Sequence, residues 1–257
     1  MKTLIYVISL TSEHERRKNI SDQLKKFNLD FSFYDAIDFR FTDESTVNSY
    51  VINDTEYNKP SRPLTKGEIG CTLSHLKLIS SLKHISSSSN FLILEDDAII
   101  DKDLAKFISS KKLNEFDWDL IILGYSKLKK DEFKKFYFKE PINTIQQINN
   151  IKIGNVWKDW TCGTVGYIIN HKSINKFDSL TVSSMADDWH YIKEKLNLKI
   201  FHSRPLLICE DFSTFASSIE GERKEFLKKE NIILEPIRLM RGLYRKLFFI
   251  AKIPKKR

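Results

Sequence analysis

Hydrophobic positions along this chain alternate between two kinds of pattern. Short apolar runs predict strands over residues 3–10, 91–95, 118–124, 162–170, 198–201 and 206–209. Runs such as Phe91-Leu-Ile-Leu94, unbroken by polar residues, suit strands covered on both faces. Residues 31–34 alternate and predict a further short strand. Between these runs the apolar residues fall three or four apart, the spacing of amphipathic helices. Ser12 with Glu15 predicts a capping box opening a helix to Phe27, and Thr65 with Glu68 predicts another opening a helix to about Ile85. Further helices are expected near 102–110, over 171–177, and from Met185 to Leu196 with Ser184 as cap. Residues 40–63 lack periodicity, 86–90 read as a polar break, and 125–158 read as a hairpin insertion. Strands alternating with helices predict an α/β domain with a mixed, mainly parallel sheet.

The 257 residues are enough for one large domain, and 41% hydrophobic content fits a folded globular chain. No apolar stretch is long enough to span a bilayer. The first ten residues lack a small-residue cleavage site and read as a strand rather than a signal peptide. Cys71, Cys162 and Cys209 are odd in number and form no CxxC pair, which suits reduced thiols in a cytosolic protein. The net charge of +8 is not spread evenly. Eight basic residues follow Glu235 and no acid does, so residues 1–235 are balanced. A basic tail on a neutral body argues against a nucleic-acid-binding protein. The expected organisation is therefore a catalytic domain over 1–235 and a basic amphipathic tail over 236–257.

Candidate chemistry begins with Glu95-Asp96-Asp97, at the C-terminal end of a predicted buried strand. Ligands bind at that edge in open α/β sheets. Three adjacent carboxylates repel one another, and a divalent cation would relieve the repulsion. Oxygen ligands suit Mg²⁺ or Mn²⁺ carrying phosphates. The competing reading is a solvated turn. A second acidic pair, Asp187-Asp188, precedes Trp189. Acids in a first helical turn favour the helix dipole, but a partly buried carboxylate near bound phosphate also serves as a general base. Trp189 offers a flat face for a sugar. His202 follows a short strand, where it packs or binds metal. GxGxxG, Walker, GxSxG and zinc-ligand patterns are absent, which removes the dehydrogenase, P-loop kinase and α/β-hydrolase readings.

Several segments together resemble glycosyltransferase family 25, which includes lipooligosaccharide galactosyltransferases. They are Tyr6-Val-Ile-Ser-Leu10 with Arg16-Arg17, Phe33-Tyr-Asp-Ala-Ile-Asp38, Leu64-Thr-Lys-Gly-Glu-Ile-Gly-Cys-Thr-Leu-Ser-His75, Leu92-Ile-Leu-Glu-Asp-Asp97, Gly163-Thr164 and Ala186-Asp-Asp-Trp189. The resemblance covers roughly 3–210. It implies a GT-A-type, Rossmann-like single domain, a UDP-sugar donor and an inverting mechanism. By that resemblance Glu95, Asp96 and Asp97 stand for the DxD motif, with Asp97 and His202 as ligands of Mn²⁺ or Mg²⁺. Ser9, Leu10, Arg16, Asp35 and Ser74 fall where the nucleotide binds, and Gly163 and Thr164 near the donor sugar. Asp188 is the expected base, with Asp187 as the alternative. The implied reaction moves a hexose, galactose in β1,4 linkage by analogy, onto lipooligosaccharide or lipopolysaccharide. The rivals are the same fold using UDP-glucose or UDP-N-acetylhexosamine, an inactive UDP- or glycan-binding scaffold, and a metal-dependent phosphohydrolase.

Residues 237–250 space apolar groups at helical intervals with bases between them, a pattern suited to an anionic membrane surface. Residues 237–257 are thus expected to hold the protein on the cytoplasmic face of the bacterial inner membrane. The competing reading is a helix packed on the body with a solvated basic face.

Overall fold

The computed structural model describes residues 2–52, 62–85, 89–211 and 235–251. Among the described residues eleven strands form: β1 (Lys2–Ser9), β2 (Ser32–Asp35), β3 (Ser89–Glu95), β4 (Ala98–Ile100), β5 (Leu120–Ile122), β6 (Gly124–Tyr125), β7 (Ile142–Ile148), β8 (Ile151–Val156), β9 (Gly166–Ile169), β10 (Ile200–Arg204) and β11 (Ile208–Glu210). The α-helices are α1 (His14–Lys26), α2 (Glu44–Asn48), α3 (Lys66–Leu82), α4 (Leu104–Ile108), α5 (Phe133–Lys139), α6 (Trp189–Leu196) and α7 (Glu235–Ile250).

The main sheet has the order β2-β1-β3-β9-β5-β10-β8-β7. β1 pairs in parallel with β2 and β3, and β10 with β5, whereas β9 lies antiparallel between β3 and β5. β8 also runs against its neighbours. Six of the eight strands therefore point one way, the mixed and mainly parallel sheet that the patterns predict. A small sheet, β4-β11-β6, sits beyond the ends of β3 and β5.

Strand alternation explains the unbroken apolar runs. Leu92 and Leu94 join a core with α1 and α4, through Ile20, Leu24, Leu104 and Phe107. Phe91 and Ile93 face a second core with α3 and α6, through Leu78, Leu82, Trp189 and Ile192. Helices on both faces leave no solvent side for a polar residue.

Two helix starts differ from expectation. α1 begins after Glu13 with no side-chain cap, and Ser12 Oγ instead accepts from Arg40, at 3.1 Å. α6 begins at Trp189, not Met185, and its cap is Asp188, whose carboxylate accepts from the Tyr191 amide at 3.1 Å. Ser184 is buried, and its carbonyl accepts from Thr72. The box at Thr65 and Glu68 forms with both halves present. Within the stretch expected to be irregular, Asp43 caps the short α2. Residues 53–61 and 86–88 lie outside the described residues, so most of the expected polar break does too.

The described part of the tail, 236–251, is helical almost throughout. Lys135 and Lys139 bind Glu235, and Arg245 binds Glu140, so α7 docks on α5. Trp157 at the hairpin end packs edge-on against Tyr244 and Phe248. Residues 252–257 lie outside the described residues.

Candidate active site

The C-terminal ends of β1 and β3 open onto a cavity of about 470 Å³. That volume lies in the range of small-ligand sites. Because β9 is antiparallel, it starts at the edge where β3 ends. Gly163 and Thr164, just before β9, therefore stand beside Glu95, and the Thr164 hydroxyl donates to Glu95 Oε1. The Asp211 amide donates to the Asp97 carbonyl at 2.7 Å, which ties β11 and its terminal Glu210 to the same edge. Ser9, Leu10, Arg16, Ser74, His75, Glu95, Asp96, Asp97, Gly163, Thr164, Asp187 and Glu210 all line the cavity.

The repulsion foreseen within the acidic triplet is answered partly by Arg16. Its guanidinium reaches Asp96 at 2.9 Å and Asp97 at 2.7 Å, with all three residues buried. Asp96 also accepts from the Ser9 hydroxyl at 2.6 Å, so both its oxygens are engaged within the protein. Asp97 differs: its Oδ1 is buried and has no hydrogen-bond partner. Burial and the charges of Glu95 and Glu210 push the Asp97 carboxyl well above the usual carboxylate range, against the pull of Arg16. Burial and the Glu95 charge likewise raise Glu210. Burial opposes ionisation of Glu95 too, but His75 and Thr164 hold it below its ordinary value.

Asp187 stands on another wall, where its Oδ2 accepts from the Gly163 amide at 2.9 Å. The Gly163 carbonyl accepts from Trp189 Nε1 at 3.2 Å. Gly163 has φ +85°, and a Cβ there would stand 1.8 Å from Ser126 Oγ. The position requires glycine on both counts.

Four sequence expectations fall elsewhere. Asp188 points into its helix cap and is absent from the cavity lining. Asp35 is mostly exposed and bound to Arg17, also outside the lining. Trp189 is 2% exposed and packs edge-on against Tyr167, so it offers no face to a sugar. His202 is fully buried in mid-β10, between Tyr125 Oη at 2.6 Å and the ring of Trp160, and does not reach the cavity. Burial lowers its pKa to about 4. A strand-end position does not by itself tell which histidine is packed. Ser74 does line the cavity, although its hydroxyl is engaged, donating to the Gly70 carbonyl and accepting from the Ile37 amide.

Glu210 is a site residue that the sequence patterns did not single out. The signal was present: Leu206 to Cys209 is an apolar strand running into acids, as at Leu92 to Glu95.

These donors fit a divalent cation. Glu95, Asp97 and Glu210 are hard oxygen donors on the lining of one cavity, Asp97 Oδ1 is buried without a partner, and the charges of Glu95 and Glu210 both act on Asp97.

Comparisons with known proteins agree with the motifs. The model of glycosyltransferase family 25 (LPS biosynthesis protein) matches residues 2–190. A Haemophilus influenzae relative is 30% identical, aligned over 97% of this chain and 87% of its own. The lipooligosaccharide biosynthesis protein lic2B of Haemophilus influenzae is 24% identical over 96% of this chain and 97% of that protein. Procollagen galactosyltransferase 1-B of Xenopus laevis is 26% identical over 67% of this chain, which spans 27% of that longer protein.

Proposed function

This chain belongs to glycosyltransferase family 25, and from that premise we propose that it transfers galactose from UDP-galactose to a lipooligosaccharide acceptor, with inversion. The observation that carries the reading is the buried, unpartnered Asp97 Oδ1 beside Glu95 and Glu210, on one cavity with Asp187. Galactose and the lipooligosaccharide acceptor are taken from what the relatives are named for.

Asp97, Glu95 and Glu210 would hold Mn²⁺ or Mg²⁺, which supplies Lewis-acid stabilisation of charge on the departing diphosphate. Arg16 fixes Asp96 and Asp97 through its ion pairs and leaves Asp97 Oδ1 without a partner in the protein. Lys66 and Arg40 in the lining add positive charge for phosphate. A single displacement needs one base on the acceptor side. Asp187 serves best: it lines the cavity and the Gly163 amide orients its carboxylate. It takes the acceptor hydroxyl proton as that oxygen bonds to the anomeric carbon and the sugar–UDP bond breaks. Asp188, committed to its cap, is displaced from that role.

Residues 236–257 form the membrane-associating part. The described portion of α7 presents Ile237, Met240, Leu243, Tyr244 and Leu247 outward, each at least 40% exposed, with Arg241 and Lys246 flanking. An apolar stripe edged with bases suits an anionic leaflet, here the cytoplasmic face where a lipid-linked acceptor lies. No helix among the described residues is long and apolar enough to cross a membrane.

A thermal-shift panel tests the reading. UDP, UDP-galactose, UDP-glucose and UDP-N-acetylglucosamine are each added with Mn²⁺ and with EDTA, since ligands of the native state raise its apparent stability. Metal-dependent shifts largest for UDP-galactose are expected. A larger shift with another donor moves the specificity, and no shift with any nucleotide removes the transferase reading.

A further inference from the structure

We propose that Cys71, His75 and Glu95 form a second cation site in the cavity wall, one that selects a borderline ion such as Zn²⁺ over Mn²⁺ or Mg²⁺. Cys71 and His75 are four residues apart on α3, so both side chains lie on one face of the helix, toward the end of β3. One ligand atom from each of the three residues lies within 4.8 Å of the other two. All three residues line the cavity, so a fourth position is open to water or an anion. That is the arrangement of an accessible zinc site.

The histidine supplies the independent sign. His75 is 4% exposed, and its Nε2 is buried with no hydrogen-bond partner. That nitrogen lies 3.5 Å from Glu95 Oε1. Ligand atoms of a tetrahedral zinc centre stand roughly 3.5 Å apart, given bond lengths of about 2.0–2.3 Å. The His75–Glu95 pair is already at that spacing, and a turn of the half-buried Cys71 side chain closes the rest. On the other side of the ring, Nδ1 lies 2.7 Å from Tyr167 Oη. With a metal on Nε2, the ring proton sits on Nδ1 and donates to that oxygen. This is the outer-shell support that metal-bound imidazoles use.

The ligand set sets the selectivity. A thiolate and an imidazole favour Zn²⁺ or Co²⁺, whereas Mn²⁺ and Mg²⁺ prefer oxygen. On binding, the Cys71 thiol loses its proton to solvent as the metal–sulfur bond forms. Glu95 belongs to both cation sets, so zinc at this site competes with the use of Glu95 by the acidic triplet.

Cobalt titration of the full chain tests the site without reference to transfer. A single equivalent of Co²⁺ should produce a thiolate-to-metal charge-transfer absorption. That band should vanish in Cys71→Ser, weaken in His75→Gln, and persist in Cys162→Ser. A second readout uses the unaltered chain. Zn²⁺ should slow iodoacetamide alkylation of Cys71, mapped by mass spectrometry, roughly tenfold or more at saturating metal, and Mg²⁺ should not. Absence of the band at one equivalent, its persistence in Cys71→Ser, or Cys71 alkylation indifferent to Zn²⁺ would overturn the proposal. Loss of UDP-sugar binding with the cobalt band intact would instead count against the transferase reading alone.

Discussion

The two acidic clusters, Glu95-Asp96-Asp97 on β3 and Asp187-Asp188 before α6, divide their work in the same way. In each, one acid is tied into the fold and its sequence neighbour lines the cavity, as Asp96 itself also does. Asp96 spends its oxygens on Arg16 and Ser9, while Asp97 keeps Oδ1 unpartnered. Asp188 caps α6, while Asp187 lines the cavity. Adjacent carboxylates thus need not share a duty, even where both stand at one cavity. Preorganised groups of this kind gain most when their supports are fixed by the fold.

The largest expected effect separates Asp187 from Asp188. Asp187→Asn should lower the transfer rate by roughly 10²–10⁴-fold, the usual worth of a general base, with UDP-galactose binding retained. Asp188→Asn should keep most of the activity. Steady-state transfer to a lipooligosaccharide acceptor measures both, and the reverse ranking would break the comparison.

Stability against pH probes a third buried group. His202 is held at about 4 by burial, with Asp159 and Arg204 beside it, below its ordinary 6.5. The unfolded chain protonates first, so stability is full above about pH 6.5 and falls as pH drops toward 4. The loss amounts to roughly 3 kcal/mol at most. Thermal melts of wild type and His202→Gln over that window should differ in slope; parallel curves would show that the histidine is not buried neutral.

Within the first cluster the contrast is smaller but sharper in kind. Asp97→Asn should weaken metal-dependent UDP binding by roughly tenfold or more, as loss of a charged ligand implies, with modest change in melting without ligand. Asp96→Asn should do the opposite, costing about 1–3 kcal/mol of stability because Arg16 loses a buried partner. Calorimetric titration paired with denaturant unfolding resolves the two. The smallest effect is that of Asp188→Ala, about 1 kcal/mol through loss of a helix cap, read as a lowered melting temperature with donor binding unchanged.

Features with local causes were legible in the sequence. The capping box at Thr65 and Glu68 needs partners three residues apart, and both halves form. The run into Glu95 announces a strand covered on both faces, because no alternation survives when helices pack on each side. Arg16 is a different matter: its partner Asp97 is 81 residues away, and only the parallel pairing of β1 with β3 brings them together. The start of α6 differs from expectation because Ser184 and Asp188 are both competent caps, and tertiary burial of Ser184 leaves the cap to Asp188. Asp188 is the expected base by resemblance alone, and its place as the cap of α6 leaves Asp187 on the cavity lining instead. His202 is a ligand only by the resemblance, and a histidine near a strand end carries no mark in the sequence of the burial that β10 gives it.

The most direct test of a cavity that binds a metal–nucleotide sugar is calorimetric titration of UDP-galactose into the protein, with Mn²⁺ and with EDTA, on wild type, Asp97→Asn and Asp187→Asn. Binding should require Mn²⁺, survive in Asp187→Asn and fall sharply in Asp97→Asn. No heat of binding to wild type with Mn²⁺, or equal binding by wild type and Asp97→Asn, would contradict the assignment of Glu95, Asp97 and Glu210 as the metal-holding edge of the donor site.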